Sequence, residues 1–381
     1  MTSHSTSASI GRPLKVLLVS TSYPKNDKDW QGRFIADMVQ ALGASSELQL
    51  SVWSPPGELP AGVGYAASAA ESRRLSQMTS QGGIAQILRT RQLGGLGHVF
   101  GLLRGLRRAY RARPVADVAH VNWLQNALPL WGSATPAVIT ILGTDFSLLQ
   151  APGMQGMLRM VIRQRKCVLA PNAAWMAPKL KSVFGDIAEI RTIPFGVEKK
   201  WFSLNRHGNW QEPQKWLAVT RLTKNKIGDL LNWGTGFFDG RRELHLFGPM
   251  QETVELPSWV HYHGPTNPTE LQQKWFPEAA GLITLSRHDE GRPQILLEAM
   301  AAGLPVIASD LPAHRDLIAH HDTGWIATSR ESLDAALNYL DVPENNVATG
   351  RAAQAWVTKE VGTWDDCANR YKLAYMDLIK S

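Results

Sequence analysis

Two glutamates, Glu290 and Glu298, frame the start of the stretch EGRPQILLEAMAAGLPVIASD, residues 290–310. Glu290 sits in a Gly-Pro loop, and Glu298 lies among Ile295, Leu296, Leu297, Ala299 and Met300. A carboxylate in an apolar helical pattern is costly to bury unless something binds it. Pro293 fits the first helical position and Gly303 the stop, with Pro305 beyond, which predicts a helix of about three turns. The run AGLITLS, 280–286, reads as the strand before it, and ligands in open parallel sheets bind beyond the carboxyl ends of strands. The first N–H groups of such a helix are unpaired and its dipole is positive there, so that end attracts phosphate. Glu298 would lie about 7.5 Å down the axis, with Glu290 on the other side of the phosphate-binding end. Carboxylates accept from hydroxyl pairs, so the layout suits a nucleotide sugar, which carries hydroxyls on both sides of a diphosphate. Two such glutamates are more commonly a solvated loop residue and a helix residue with a basic neighbour. The strand, proline and glycine around them tip the reading toward a site.

Arg221 and Lys226 follow the run KWLAVTRL, 215–222. Positive charge beyond a strand end suits a leaving nucleoside diphosphate; a solvated basic loop is the alternative. Other signals are weaker. The string DKD at 27–29 follows no strand end and reads as a solvated loop, so neither an essential metal nor a cofactor is expected. GGLGHVFG, 94–101, follows no strand and is no dinucleotide fingerprint. Arg287, His288 and Asp289 read as solvent-facing or supporting groups. Of fourteen tryptophans, Trp30 and Trp123 are the candidates for stacking on a sugar.

The elements that must position these residues alternate between strand and helix. The runs 14–20, 48–54, 115–123 and 136–142 read as buried parallel strands. Phe34, Ile35, Met38, Val39 and Leu42 recur at helical spacing between the first two. A second series follows at 215–222, 243–249, 259–265, 280–286 and 304–310. This repetition predicts an α/β protein with two doubly wound, Rossmann-like sheets facing a cleft. The Pro-, Gly- and polar-rich segment 190–214 separates the series. The expected division is residues 1–195, then 196–360, with 361–381 a C-terminal helix packing back on the first domain. A length of 381 residues with 44% hydrophobic and 19% charged residues fits two ordinary globular domains. Two cysteines far apart, Cys167 and Cys367, fit a reducing cytoplasm rather than a disulfide framework. The polar N-terminus lacks a basic n-region, and the apolar run after it is too short to span a membrane.

The formal charge is +7 and the pI about 9.4, pointing to an anionic partner. Residues 85–113 are basic on an apolar background, with Val99, Leu102, Leu103, Leu106 and Tyr110 able to share one face and Arg104, Arg107, Arg108 and Arg111 mostly elsewhere. That suits an anionic membrane surface, so a peripheral place on its inner face is expected; a domain helix with a solvated basic face is the equal alternative. Nucleic acid is not expected, since no recognition motif accompanies the charge.

The E-x7-E stretch resembles the signature of retaining GT-B glycosyltransferases, in particular family four. IPFGVEKKWF, 193–202, is similar to that family's I-P-N-G-V-D segment; VTRLTKNK, 219–226, to its G-R-L-x-x-x-K; LFGPM to its G-x-G-P turn; and ADVAHVNWL with ITILGTD, 116–145, to its D-x-x-H-x-H-W and H-G-x-D stretch. The resemblance implies transfer of a sugar from a nucleoside diphosphate sugar to a carbohydrate or lipid-linked acceptor, held by the first domain while the second holds the donor. It implies Glu290 on the donor sugar, Glu298 on the ribose, Arg221 and Lys226 on the diphosphate, and Gly291, Arg292, Pro293, Gln294 and Ile295 around the donor. Gly32 remains of the family's Gly-Gly loop, beside Gln31, for close backbone approach. Asn122 replaces the second His of H-x-H-W. Leu142 stands where the family often has a histidine that touches the donor sugar or assists catalysis. That role is absent, moved to Asp145 or His120, or filled by the acceptor. No carboxylate stands out as a nucleophile, which favours front-face displacement. A nucleotide-sugar epimerase or hydrolase, or a non-catalytic binding homologue, are the alternatives.

Overall fold

The apolar runs fold as two parallel sheets in the computed structural model, which describes residues 12–26, 29, 32–80, 95–206 and 212–380. The first sheet contains β1 (Leu14–Val19), β2 (Leu48–Trp53), β3 (Gly64–Tyr65), β4 (Val118–Asn122), β5 (Ala137–Ile141), β6 (Cys167–Pro171) and β7 (Glu189–Ile190). Its order is β3-β2-β1-β4-β5-β6-β7. The second contains β8 (Gln214–Val219), β9 (Arg242–Phe247), β10 (Val260–Gly264), β11 (Ala279–Thr284), β12 (Val306–Ser309) and β13 (Trp325–Ala327), ordered β10-β9-β8-β11-β12-β13. β1, β4, β5, β6 and β12 are almost wholly buried because both faces are covered. Each order reverses once, between β1 and β4 and between β8 and β11, and a crevice opens at such switch points.

Helix Arg33–Gly43 packs Ile35, Met38, Val39 and Leu42 inward. The last helix, Trp364–Lys380, buries Cys367, Ala368, Tyr371, Ala374, Tyr375 and Leu378 in the same cluster as Leu14, Val16 and Val118 of the first sheet. The chain crosses between sheets twice, and the crossings touch: Val197 bridges Thr363, and Val197 N–H donates to Gly362 O at 3.0 Å. Cys167 and Cys367 are both buried free thiols.

Helix Gly95–Tyr110 buries Leu102, Leu106, Ala109 and Tyr110, whereas Val99 and Leu103 are half-buried. Its three arginines and Arg111 just past its end are not equally free. Arg108 Nε donates to Glu71 at 2.7 Å and Arg107 to Trp131 O at 2.9 Å, leaving Arg104 and Arg111 as exposed cations. Residues 85–94 of the basic segment lie outside the described residues, as do Asp27, Lys28, Trp30 and Gln31. Among the described residues no helix is long and apolar enough to cross a membrane.

Candidate active site

The loops beyond β8 and β11 are tied together before they meet any ligand. Arg287 N–H donates to Asn225 O at 2.8 Å, and the Arg287 side chain pairs with Asp229. Ser309 Oγ, at the end of β12, donates to Ser286 O at 2.5 Å. Gly228 has φ 55, and a Cβ there would collide with Leu285 O, so only glycine permits this approach. Thr223 caps the short turn Lys224–Ile227 by accepting Lys226 N–H at 3.2 Å.

That frame sets Lys226 Nζ 2.7 Å from Glu290 Oε1, both largely buried. Burial lowers the Lys226 ammonium's pKa, and the nearby Arg221 lowers it further while Glu290 opposes both. Arg221, Lys226 and Glu290 thus form one electrostatic group, within which His288 also lies. His314 belongs to it too; its Nδ1 bonds Ser309 O at 2.8 Å and its buried Nε2 has no protein partner.

Helix Gln294–Ala301 starts one residue later than the sequence pattern predicts and is nearer two turns than three. Pro293 is extended, with ψ 114, and stands as the N-cap. Gly303, φ 71, accepts the left-handed turn beyond the last residues. Glu298 faces different neighbours from Glu290. Burial first, then Asp37 of the first domain and Glu198 of the crossing strand, push its carboxyl up to about 8. Asp37 itself is raised to about 6 by burial, against the pull of Arg33 at 3.2 Å.

The two domains meet backbone to backbone beside Glu290. A Cβ on Gly143, φ 101, would strike Gly291 N, and one on Gly291 would strike Leu142 O. Gln294 Nε2 donates to Gly196 O at 2.8 Å, so this side chain serves the crossing strand rather than standing free for a donor. Ile295 packs against the second-domain core. Gly32, φ 75, caps helix Arg33–Gly43 against Ser22 and Tyr23. Trp123 also has positive φ, 69, uncommon for a non-glycine residue, and stands edge-on to Phe34 at 6.2 Å.

Three residues expected in the site are used otherwise. His120 is 0% exposed. Its Nδ1 bonds Tyr375 Oη at 2.6 Å and its Nε2 bonds Thr140 Oγ1 at 2.9 Å. Burial pushes it down to about 3, so it is a neutral core residue under the last helix. Asp145 accepts Leu124 N–H and Leu142 N–H, each at 2.9 Å. Burial raises its carboxyl to about 6 while these bonds pull it down. It joins the loops after β4 and β5, accepting one N–H on each oxygen. Arg292, expected around the donor, donates to Asp316 at 2.6 Å, both side chains largely buried. The sequence reading missed Asp316, Trp175, Asp37 and Glu198. Only Glu198 carried a signal, as the acidic residue of IPFGVEKKWF. Among the described residues no group of three His, Cys, Asp or Glu side chains is arranged to hold a metal.

Comparison with known proteins agrees with this architecture. Residues 250–354, which include Glu290 and Glu298, match the family described as Glycosyl transferases group 1. The amylovoran biosynthesis glycosyltransferase AmsK of Erwinia amylovora is 27% identical over 209 residues. That alignment spans 48% of this chain and 49% of AmsK, about half of each. Sucrose-phosphate synthase from Thermosynechococcus elongatus superposes with a TM-score of 0.73 at 15% identity, over 96% of this chain and 99% of that one. Anabaena HepE, solved in complex with UDP and glucose, gives 0.61 at 13% identity over 96% and 100%. The fold is GT-B, and the second domain carries the Glycosyl transferases group 1 segment.

Proposed function

We propose that the protein moves a sugar from a nucleoside diphosphate donor, a UDP-sugar first, to a glycan or lipid-linked glycan acceptor, with retention at the anomeric carbon. The observation that carries this reading is the Lys226–Glu290 pair beside Arg221, at the ends of β8 and β11 and ahead of the helix bearing Glu298. A diphosphate entering there competes with Glu290 for Lys226. It takes the two cations and the helix N-terminus, and frees Glu290 for the hydroxyls of the transferred sugar. Glu298 then takes the ribose. The anomeric carbon–phosphate oxygen bond breaks as the acceptor oxygen bonds the same face of that carbon. The acceptor's proton passes to the leaving phosphate oxygen, and Arg221 and Lys226 hold the developing charge. With His120 and Asp145 engaged elsewhere, neither is required as a base. UDP is favoured because HepE is solved with UDP and glucose. A polysaccharide-type acceptor is favoured by the name of AmsK. Arg104 and the exposed Phe100 of helix Gly95–Tyr110, with Arg111 just past its end, would meet an anionic membrane face, placing the protein peripherally on the cytoplasmic side.

The test is a thermal-shift screen against nucleoside diphosphates and their sugars, followed by donor consumption with and without a lipid-linked oligosaccharide. Acceptor-dependent release of nucleotide supports transfer. Acceptor-independent consumption makes the protein a hydrolase or epimerase, and binding without consumption a non-catalytic homologue.

A further inference from the structure

Asp316 ends the short helix Pro312–Arg315 of the second domain, yet its carboxylate serves the first. Oδ2 accepts Ala174 N–H at 3.0 Å and Oδ1 accepts Trp175 N–H at 3.1 Å. These groups open the helical run formed by Ala174–Met176 and Ala177–Phe184, where N–H groups lack intrahelical partners and the dipole is positive. A carboxylate is the usual cap for such an end; here it comes from the other domain. The same Oδ2 accepts Arg292 Nη2 at 2.6 Å, with both side chains buried. Trp175 reaches back in turn: its indole N–H donates to Gly291 O at 2.8 Å while its ring stands edge-on to Phe146 at 5.3 Å. Gly291 is therefore held by Trp175 and Arg292 by Asp316, and the residue before them is Glu290. A buried ion pair is weak evidence for stability, and geometry is the better-attested use of one. The bonds from Ala174, Trp175 and the Trp175 indole cross the domain boundary, so they exist only when the domains stand this close.

We infer that Asp316, Arg292 and Trp175 form an interdomain joint that holds Glu290 in its working position, which makes Asp316 and Trp175 positioning residues for transfer. The inference rests on the transfer reading above. A closed cleft and a correctly placed Glu290 become one event: the domain that holds the acceptor sets the loop that holds the donor sugar. Displacement of such a loop by about 1 Å can cost about a hundredfold in rate.

Asp316→Asn removes the charge and keeps one acceptor; Trp175→Phe keeps the ring and removes one donor. Each is expected to lower kcat about tenfold or more with donor KM changed less than about twofold, because the donor's uniform binding groups are untouched. The double variant should fall little below the worse single one, since the two act as a unit. A second measurement does not depend on turnover. Dyes attached through Lys181→Cys and Ala335→Cys, both exposed, report the distance between domains, the native thiols being buried. Asp316→Asn should lengthen that distance in the full-length, ligand-free protein. Unchanged kcat with unchanged distance overturns the joint, as does a fall in Tm with kcat per folded molecule preserved. If the unsubstituted protein transfers no sugar, the transfer reading fails, and the distance alone decides whether the joint exists.

Discussion

Lys226 and Glu290 form an ion pair at 2.7 Å between the loops that follow β8 and β11. The pair stores the two charges that a donor needs in one enclosed place, each satisfied by the other until the diphosphate arrives. Removing one member leaves a buried charge alone, which costs more than the pair itself contributes.

Lys226→Ala should therefore weaken UDP binding by about tenfold or more and also lower Tm, because Glu290 is left without its cation. Arg221→Ala should weaken binding similarly with a smaller effect on Tm. Calorimetric titration with UDP alongside thermal melts separates the two effects. Unchanged UDP affinity in the double variant would remove the donor from this loop.

The two glutamates should divide between kcat and KM. Glu298 is placed for the ribose, which does not change during transfer, so Glu298→Gln should mainly raise donor KM. Glu290 is placed for the sugar whose charge changes as the bond breaks, so Glu290→Gln should lower kcat. Steady-state kinetics giving the reverse division would exchange the two assignments.

Donor affinity should depend on pH through Glu298. Its carboxyl sits up to about 8, so below that pH the unliganded protein holds a proton that hydroxyl-accepting carboxylate must shed. Affinity for UDP-glucose should rise from pH 6 toward pH 8 and level off above, and Glu298→Gln should flatten the profile. Stability runs the opposite way. Because the folded pKa is raised, the folded protein binds the extra proton, and this contribution is present at low pH and lost as pH rises through about 8. Melts across that range should show Glu298→Gln gaining Tm on the parent as pH increases. A parallel pair of curves would show that Glu298 does not titrate there.

Gly143→Ala is expected to reduce turnover strongly with a modest change in Tm. The new Cβ meets the backbone of Gly291 across the cleft, and φ 101 adds local strain. Small-angle scattering should report a more open particle. Full activity would mean that this close approach is not used in the catalytic state.

Membrane contact should depend on Arg104 and Arg111. Cosedimentation with anionic vesicles is expected to fall with added salt, and in Arg104→Glu/Arg111→Glu, while neutral vesicles should bind neither protein. Substitutions at Arg107 and Arg108 should act less on binding, because these side chains are engaged by Trp131 O and Glu71.

The periodic elements were legible because their residues are buried on both faces. β1, β4, β5 and β11 are mostly apolar runs, almost wholly buried, and the strand–loop–helix around Glu290 carries its own punctuation. What stayed hidden is β6, whose five residues were not read as a strand, together with two-residue pairing and long-range partnership. β3 and β7 are two residues each, and β13 three, too short for an alternation to register. His120 and Asp145 look chemical in a line of letters. Their burial is imposed by Tyr371 and Tyr375, more than two hundred residues away, and by the N–H groups of Leu124 and Leu142. Asp316 in PAHRDL gave no sign, because its partners, Ala174 and Trp175, lie 142 and 141 residues away. Charge spacing along the chain shows which loop bears a site. It does not show which of the loop's charges are turned back into the protein.

The helix Trp364–Lys380 has a consequence for biosynthesis. Tyr371, Tyr375 and Leu378 belong to the same core as Leu14 and Val16, so the domain that leaves the ribosome first closes its interior only after the second has been made. The second sheet, complete by β13, has its strands together earlier. Synthesis thus inverts the usual N-terminal-first order. Until that helix arrives, the face of the first sheet that it covers stays open, so a premature stop codon ahead of Trp364 would strand that face exposed.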